Sequence, residues 1–199
     1  ILFSSVSSTG QRGYFRNFDR TPHQGVDLSW TARIGALDLS ASYSRLDATY
    51  QADGLLRIGE RNVEVRPGMR MAGLPKQTLR VSADWQIARG FSAGADLQAV
   101  SRRVTLGNED GRVEDDEDDT LDLSVPGYAV ANLRAGWSPL PGLDLLARVN
   151  SAFDRRTASY GALAATPFDA RGRWTGDARD ALFVAPGAPR SVFVGLRLR

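Results

Sequence analysis

Apolar and polar residues alternate with a period of two along several stretches of this chain. The clearest alternation runs from Gln77 to Arg102. Its uncharged positions are Leu79, Val81, Ala83, Trp85 and Ile87 in the first half and Phe91, Ala93, Ala95, Leu97 and Ala99 in the second. The short segment Ala88-Arg89-Gly90 separates the halves, and mostly charged or polar residues fill the positions between. Because successive side chains of a β-strand point to opposite faces, the pattern predicts a β-hairpin with one uncharged and one charged face.

The same alternation predicts about eight strands in the whole chain. They lie within residues 1–8, 23–34, 37–50, 77–88, 91–102, 128–137, 143–150 and 192–198. Two more tight hairpins are expected to turn at Gly35-Ala36 and at residues 139–142. After Tyr43 the apolar positions change phase, which predicts either a β-bulge near Ser44-Arg45 or the point where the strand leaves the apolar zone.

The predicted connections alternate between short and long. The long ones are 51–75, 103–127 and 155–190, which are polar. Segment 51–75 is expected to be irregular, and residues 10–22 are expected to form a loop. Short periplasmic turns alternate with long extracellular loops in an up-and-down outer-membrane barrel. A tilted strand crosses a bilayer with about nine to eleven residues, which matches the uncharged faces. The sequence therefore predicts an all-β fold, a transmembrane, up-and-down antiparallel β-barrel arrangement of about eight strands whose apolar faces point outward to lipid.

Composition narrows the class of protein further. A hydrophobic fraction of 42% and a mean hydropathy of −0.28 are too polar for a helical membrane protein, and no apolar run approaches the length of a spanning helix. The net charge of +2 gives no reason to expect a nucleic-acid partner. There is no cysteine for a disulfide framework. The chain opens without Met or a signal-peptide pattern, from which we expect a processed product or an excised fragment.

Three tryptophans share one position in the pattern. Trp30, Trp85 and Trp137 each lie a few residues before a short turn, on the uncharged face of their strand. They predict an aromatic girdle at a single membrane interface. The alternative is that they anchor the core of a soluble β-domain.

Charges of both signs occupy the opposite faces of the strands. We expect these side chains to face the lumen: Asp27, Arg33, Asp38, Arg80, Asp84, Asp96, Arg102, Arg134, Asp144, Arg148 and Arg197. Charges removed from bulk water need partners. They are interpreted either as cross-strand ion pairs or as direct contacts with a substrate.

No motif predicts covalent chemistry or a cofactor. The single histidine, His23, stands at a strand start beside a loop, and neither a Gly-x-Ser-x-Gly elbow nor Cys/His metal spacing is present. The chain is therefore expected not to be an enzyme, with a barrel-embedded hydrolase as the alternative.

In the acidic run 114–119, Asp115, Asp116 and Asp118 are candidate calcium ligands, since calcium prefers several carboxylate oxygens. The alternative is a solvated acidic loop.

Several stretches resemble the barrels of TonB-dependent outer-membrane receptors. They are Gln24–Leu28 (QGVDL), Ala72–Leu79 (AGLPKQTL), Val125–Gly136 (VPGYAVANLRAG) and Pro186–Arg190 (PGAPR). Together the similarity extends over nearly the whole chain, and it is greatest to receptors of the ferric citrate and ferric siderophore type. Two departures stand out: Ser151-Ala152-Phe153-Asp154 replaces the usual Asn-Leu-Phe-Asp, and the chain stops at Arg199 without the usual C-terminal aromatic.

The resemblance implies that residues 1–199 are the C-terminal part of a receptor barrel, without the plug domain and the earlier strands. It implies residence in the bacterial outer membrane, contact of the lumen charges with the plug, and import of a ferric chelate. Energy would come from a TonB-type coupling protein that engages the missing N-terminal part. Two other functions stay open. One is a self-contained eight-stranded outer-membrane barrel with a structural or adhesive role, and the other is a soluble β-domain that acts as a binding module.

The connection 155–190 supplies the candidate binding residues. Arg171 and Arg173 are predicted to capture the chelate, with Trp174 and Tyr160 as flanking contacts. The chelates implied by the resemblance are anionic, and the guanidinium is a permanent, forked donor that matches carboxylates. The alternative is that these arginines pair with acidic residues of the same connection: Asp169, Asp177 or Asp180.

Overall fold

The computed structural model describes residues 2–5, 13–16, 20–58, 61–112, 123–169 and 171–198. Their regular structure is built from thirteen antiparallel strands. The strands are β1 (Leu2–Ser5), β2 (Gly13–Arg16), β3 (His23–Ile34), β4 (Leu37–Ala48), β5 (Gly54–Ile58), β6 (Arg61–Val65), β7 (Gln77–Ala88), β8 (Phe91–Val100), β9 (Tyr128–Leu140), β10 (Leu143–Asn150), β11 (Ala158–Phe168), β12 (Trp174–Pro186) and β13 (Ser191–Leu198). Within those ranges, no helix has both the length and the apolarity that a bilayer crossing requires.

Seven strands form one antiparallel sheet in the order β13-β10-β9-β8-β7-β4-β3. Its three hairpins turn on two residues each, at 35–36, 89–90 and 141–142, as the alternation predicts. The last turn is shorter than expected, because β9 continues through Pro139 to Leu140. At Gly90 the backbone has a φ of 77°, and an added Cβ would lie 2.7 Å from the Ser138 carbonyl oxygen. Only glycine suits that turn.

The register separates apolar from charged side chains on the two faces of this sheet. On the uncharged face, Trp30, Trp85 and Trp137 are 54%, 51% and 51% exposed. The opposite face carries the expected lumen residues of the strands: Asp27, Arg33, Asp38, Arg80, Asp84, Asp96, Arg134, Asp144, Arg148 and Arg197. Arg102 lies just beyond β8. We call these the outer face and the charged face.

The change of phase after Tyr43 occurs without a β-bulge. Strand β4 pairs with β3 in unbroken register as far as Ala48, whereas its pairing with β7 ends at Arg45. Beyond that point Ala48 and Tyr50 are buried. The strand therefore leaves the apolar zone here and buries its other face against the following loop. The irregularities of the sheet lie elsewhere, between Gln86 and Ala88 and next to Leu143.

Segments expected to connect the strands contain three further hairpins. Strands β5 and β6 pair within 51–75, β11 and β12 pair within 155–190, and β1 pairs with β2 inside the expected loop 10–22. The predictions of an irregular segment at 51–75 and of a loop at 10–22 were therefore wrong in part, and the strands in 155–190 were not predicted, because these strands are short or lie outside the membrane-type pattern. Since β1 pairs with β2, the main sheet has seven strands rather than eight.

A small apolar cluster lies in the first long connection. Tyr50, Leu56, Val63 and Val65 are its buried members, and Ile58, Met69 and Met71 pack against them. Alternation along β6 places Val63 and Val65 inward. The connection is thus folded around a core of its own.

Candidate functional site

Three long connections meet at the end of the sheet opposite the two-residue turns. Their backbones are joined by hydrogen bonds from the Gly73 N–H to the Val104 oxygen (2.9 Å), from Leu106 to Gly161 (3.0 Å) and from Leu163 to Leu106 (2.8 Å). We call the described parts of residues 49–76, 101–112, 123–127 and 151–190 the loop assembly. The long loops thus form one packed unit.

Arg61 joins the three connections through a single buried side chain. Its Nε donates to the Gly107 carbonyl oxygen at 3.2 Å, and one Nη donates to the Arg112 carbonyl oxygen at 3.3 Å. The other Nη pairs with the Asp180 carboxylate. The side chains of Arg61 and Asp180 are only 8% and 4% exposed. Because this ion pair is buried, removing either partner leaves an uncompensated charge.

Glu109 binds the backbone of the same residue, Gly107. It is 7% exposed, and its Oε2 accepts a hydrogen bond from the Gly107 N–H at 3.0 Å. Burial raises the pKa of the Glu109 carboxyl to about 7, against the opposing effects of its backbone hydrogen bonds and of Arg61. Burial also raises the pKa of Tyr50 to about 12, and the charge of Glu109 adds to that shift.

Arg103 anchors the second connection to the third. Its guanidinium donates to the Ser159 carbonyl oxygen at 2.6 Å and stands 5.5 Å from the centre of the Tyr128 ring. A cavity of about 420 Å³ adjoins it, bounded by side chains that include Met69, Arg70, Arg102, Arg103, Thr105 and Glu109. This cavity contains none of the arginines expected to bind a chelate.

Two of the predicted binding arginines lie at the tip of the β11–β12 hairpin. One oxygen of Asp169 accepts the N–H groups of Arg171 and Arg173 at 2.8 and 2.9 Å, and its other oxygen accepts the Arg173 Nε at 3.2 Å. These hydrogen bonds hold the pKa of Asp169 below its usual value. Trp174 is 67% exposed and meets the Phe168 ring edge-on at 5.5 Å.

Tyr160 lies at the other end of that hairpin. It pairs with Ala185, whereas Phe168 pairs with Trp174 at the tip. Eight residues of extended strand separate Tyr160 from Phe168, about 26 Å at roughly 3.3 Å per residue. The structure therefore does not bring Tyr160 together with the tip arginines. Asp180, the other acidic residue whose side chain is described, pairs with Arg61 instead.

On the charged face, one row of directly paired residues crosses all seven strands of the sheet. From β3 to β13 its members are Arg33, Asp38, Asp84, Gly94, Arg134, Arg148 and Phe193.

Arg134 reaches over β8 to Asp84 with bonds of 2.9 and 2.6 Å, and it also pairs with Asp96. A Cβ on Gly94 would lie 2.6 Å from the Arg134 Nε. The missing side chain of Gly94 leaves the guanidinium room to connect three strands.

The remaining charges of that face have mostly local partners. Arg33 pairs with Asp38 at 2.5 Å across the first hairpin, and Ser138 donates to Asp144 at 2.7 Å. Arg148 donates to the neutral Asn150 at 2.7 Å. Cross-strand ion pairs thus account for Asp38, Asp84, Asp96 and their arginines; substrate or plug contact stays a prediction.

The calcium candidates Asp115, Asp116 and Asp118 lie outside the described residues. In the part of the chain that is described, no three His, Cys, Asp or Glu residues cluster as a metal site. His23 is exposed, with its Nδ1 3.1 Å from the Thr21 carbonyl oxygen.

Comparison with known families decides what the sheet belongs to. The family model for the β-barrel of TonB dependent receptor-like proteins matches residues 2–150. The chain belongs to this family. Its sheet is accordingly part of a transmembrane β-barrel, and the predicted fold class is confirmed.

Solved structures share the fold of this TonB-dependent receptor barrel. The siderophore receptor PiuA from Acinetobacter baumannii is 16% identical with a TM-score of 0.65, and the ferric-catecholate import receptor Fiu from Escherichia coli is 17% identical with a TM-score of 0.59. The ferric yersiniabactin uptake receptor FyuA from Yersinia pestis is 15% identical with a TM-score of 0.60. Each match covers 89% of this chain but only 22%, 21% and 23% of the respective receptor. The chain thus spans about a fifth of those proteins.

Reasoning from the sequence missed the Arg61, Glu109 and Asp180 cluster. The stretch Arg61–Val65 does contain a signal, because Arg61 shares its face with Val63 and Val65. A charged residue in phase with buried valines indicates a buried ion pair. Its partner Asp180 is far along the chain, and nothing in the local pattern points to it.

Proposed function

We propose that the protein containing this barrel segment is an outer-membrane receptor that imports an anionic ferric chelate, driven by a TonB-type energy-coupling protein. The family match over residues 2–150 carries the proposal. Its support includes neighbours whose names describe uptake of siderophores, ferric catecholates and ferric yersiniabactin. The charged face and the loop assembly provide a polar lumen wall and an outer mouth for such a ligand.

The stagger of the three tryptophans supports the placement of this segment in the membrane. The row of paired residues through Trp85 crosses the sheet and serves as a reference level. Trp137 lies two residues nearer the turns than this row, and Trp30 lies four residues farther from them. The strands of Trp30 and Trp137, β3 and β9, are four strand spacings apart. Trp30 and Trp137 are therefore about 20 Å apart along the strands and about 19 Å apart across them. A strand tilt of about 45° would bring all three rings to one depth, and barrel strands tilt by roughly 35–45°. We assign them to the interface on the turn side.

Chelate uptake tests the function as a whole. Cells that express the full receptor should accumulate one member of a panel of labelled ferric citrate, catecholate and hydroxamate chelates. Removal of the coupling protein should abolish accumulation but leave binding to the cell surface. Binding or uptake of none of these chelates would contradict the proposal, and accumulation without the coupling protein would contradict the energy coupling.

We propose that Arg171 and Arg173, with Trp174 beside them, form an early contact for the chelate at the hairpin tip. Asp169 uses its oxygens on both backbone N–H groups and on the Arg173 guanidinium. Among the described side chains Asp169 thus has no bond to the Arg171 guanidinium, which supports a role for that group in anion contact. Tyr160 can contribute only to a separate contact near the hairpin base.

Paired substitutions in the full receptor test the tip. Arg171→Ala with Arg173→Ala should weaken chelate binding by about 1–3 kcal/mol if both make charge-assisted bonds. Arg155→Ala with Arg156→Ala is the matched control, since it removes two positive charges from the same connection outside the hairpin. Equal losses in the two double variants would indicate a general charge effect, and no loss in either would leave the arginines as solvated residues.

A further inference from the structure

Among the described residues, the charges of one buried cluster between β6, residues 101–112 and β12 do not balance. Arg61, Glu109 and Asp180 are each almost inaccessible, and they comprise one guanidinium and two carboxyls. Asp180 pairs with Arg61, while the Glu109 carboxylate accepts from backbone N–H groups, its own and that of Gly107. The Gly107 carbonyl oxygen in turn accepts from Arg61. Arg103 is buried nearby but donates to the Ser159 and Ala158 carbonyl oxygens, so that among the described residues Arg61 is the guanidinium of this cluster, and it pairs directly with Asp180 alone.

We propose that Glu109 is the pH-sensitive part of a latch that holds β6, residues 101–112 and β12 together over the mouth of the barrel. With a proton on Glu109, the cluster is neutral and Arg61 stays with Asp180. Loss of that proton places a second carboxylate beside the same guanidinium, in a site with little water. The cluster then carries an excess negative charge, and separation of the three elements relieves it.

In the part of the chain that the structure describes, other ionisable groups surround Glu109 on the elements packed against it. They are Tyr50 at the end of β4, Asp110 on its own segment, and Arg70, Arg102 and Arg103 on the wall of the adjoining cavity. Asp110 opposes ionisation. Arg103 is already engaged with the Ser159 and Ala158 carbonyl oxygens. Among all these groups, the nearby cation that favours the Glu109 carboxylate is Arg61.

The direction of the effect follows from proton linkage. The pKa of Glu109 is raised from 4.5 to about 7 in the closed assembly, so between these values the closed state holds more protons than an opened, hydrated one. Closure is therefore most favourable below about pH 4.5 and weakens as the pH rises to about 7, above which it is constant. The latch is tight in mild acid and loose at alkaline pH.

Amide exchange in the full receptor measures the latch directly and requires no chelate. The reporters are the amides that join the connections, those of Gly73, Leu106 and Leu163. After correction for intrinsic rates, their protection should fall about tenfold between about pH 6 and about pH 8, as a shift from 4.5 to about 7 requires. Protection in the middle of β8 should stay constant.

Three variants identify the group that titrates. Glu109→Gln keeps an acceptor for the Gly107 N–H but carries no charge, so its protection should be high and independent of pH. Glu64→Gln is the matched control: it lies on the exposed side of β6, the strand of Arg61, and should behave as wild type. Asp180→Asn releases Arg61 to Glu109, which should move the transition to lower pH.

A flat wild-type profile, or an unchanged profile in Glu109→Gln, would overturn the proposal. An unmoved transition in Asp180→Asn would overturn the part of it in which Arg61 acts on both carboxyls. Heat-modifiable migration on a gel shows that each barrel has folded.

Discussion

The seven-stranded sheet and the loop assembly bury opposite kinds of side chain. On the outer face of the sheet, Leu28 and Val194 are 60% and 82% exposed, and the charges point to the other face. In the loop assembly, Val63 and Val125 are fully buried. Both regions use the same strand alternation. The comparison shows that the surroundings of each strand face, and not the alternation alone, decide which face is buried in a core.

The two regions also use ion pairs differently. The Arg134 pairs on the charged face lie where water can reach, with the arginine side chain 35% exposed, whereas the Arg61 and Asp180 side chains are nearly inaccessible. A half-exposed pair contributes little, but a buried pair is costly to break. We therefore expect the loops to depend more strongly on single residues than the sheet does.

The largest effect is expected from a cavity in the loop core. Leu56→Ala should destabilise the loop assembly by about 2–5 kcal/mol, because Leu56 is buried among Tyr50, Val63 and Val65. Limited proteolysis of the loops measures the change, while the barrel should keep its heat-modifiable migration. Leu55→Ala, at the exposed neighbour on the same strand, is the control. Equal sensitivity of the two variants would remove the distinction between the regions.

Charge on the outer face should have the next largest effect. Leu97→Arg places a guanidinium among the lipid chains and should cost about 2–4 kcal/mol near the bilayer midplane. Gln98→Arg, one residue on, points to the charged face and should cost much less. Reversible folding into liposomes provides both free energies. If Arg is tolerated equally at both positions, the assignment of the faces is wrong.

A smaller effect is expected where Arg134 crosses β8. Gly94→Ala adds a Cβ 2.7 Å from Asp84 Oδ1, so the guanidinium must move off its carboxylates. The loss should be about 0.5–1 kcal/mol because the pair is partly solvated. In Gly195→Ala the nearest atom to the new Cβ is 3.9 Å away, and this variant on the same face should be neutral. Urea unfolding from liposomes compares the two.

The smallest effect is expected at the hairpin tip. Asp169→Asn removes a carboxylate whose pKa is lowered by the N–H groups of Arg173 and Arg171, so the tip should exchange its amides faster. In the wild type this contribution is present above the ordinary carboxyl pKa of 3.8 and is lost as the pH falls through the lowered value. The variant should lack that acid transition. Asp53→Asn in an exposed position should keep it.

Strand alternation was sufficient to predict the sheet. The alternation around Trp30, Trp85 and Trp137 predicted the hairpins and the two faces that the register shows, whereas the direction of each face toward lipid or lumen stays a prediction. It was insufficient for the loops, because β5, β6, β11 and β12 are short or lie outside the membrane-type pattern, although each pairs with its neighbour in the chain. The apparent phase slip after Tyr43 shows why: a local pattern records which face is apolar, but not what covers it.

The candidate site was less predictable than the fold. Arginines and aromatics of the connection 155–190 were grouped by proximity in sequence, yet an extended hairpin places Tyr160 and Arg171 at opposite ends. The buried cluster of Arg61 and Asp180 joins positions 119 residues apart. Such pairings depend on how loops pack, which composition and spacing do not specify.

The face that β4 buries changes along the strand, and this change marks the boundary between the sheet and the loop assembly. As far as Arg45 the strand pairs within the membrane-spanning sheet, and beyond it the strand packs on an apolar core that the Arg61–Asp180 ion pair links to β12. The packing of the loops can therefore change while the sheet stays the same, provided that the register of β4 is kept. Replacement of residues 46–76 from this point would leave the sheet register intact, but it would have to keep Arg61 as the partner of Asp180.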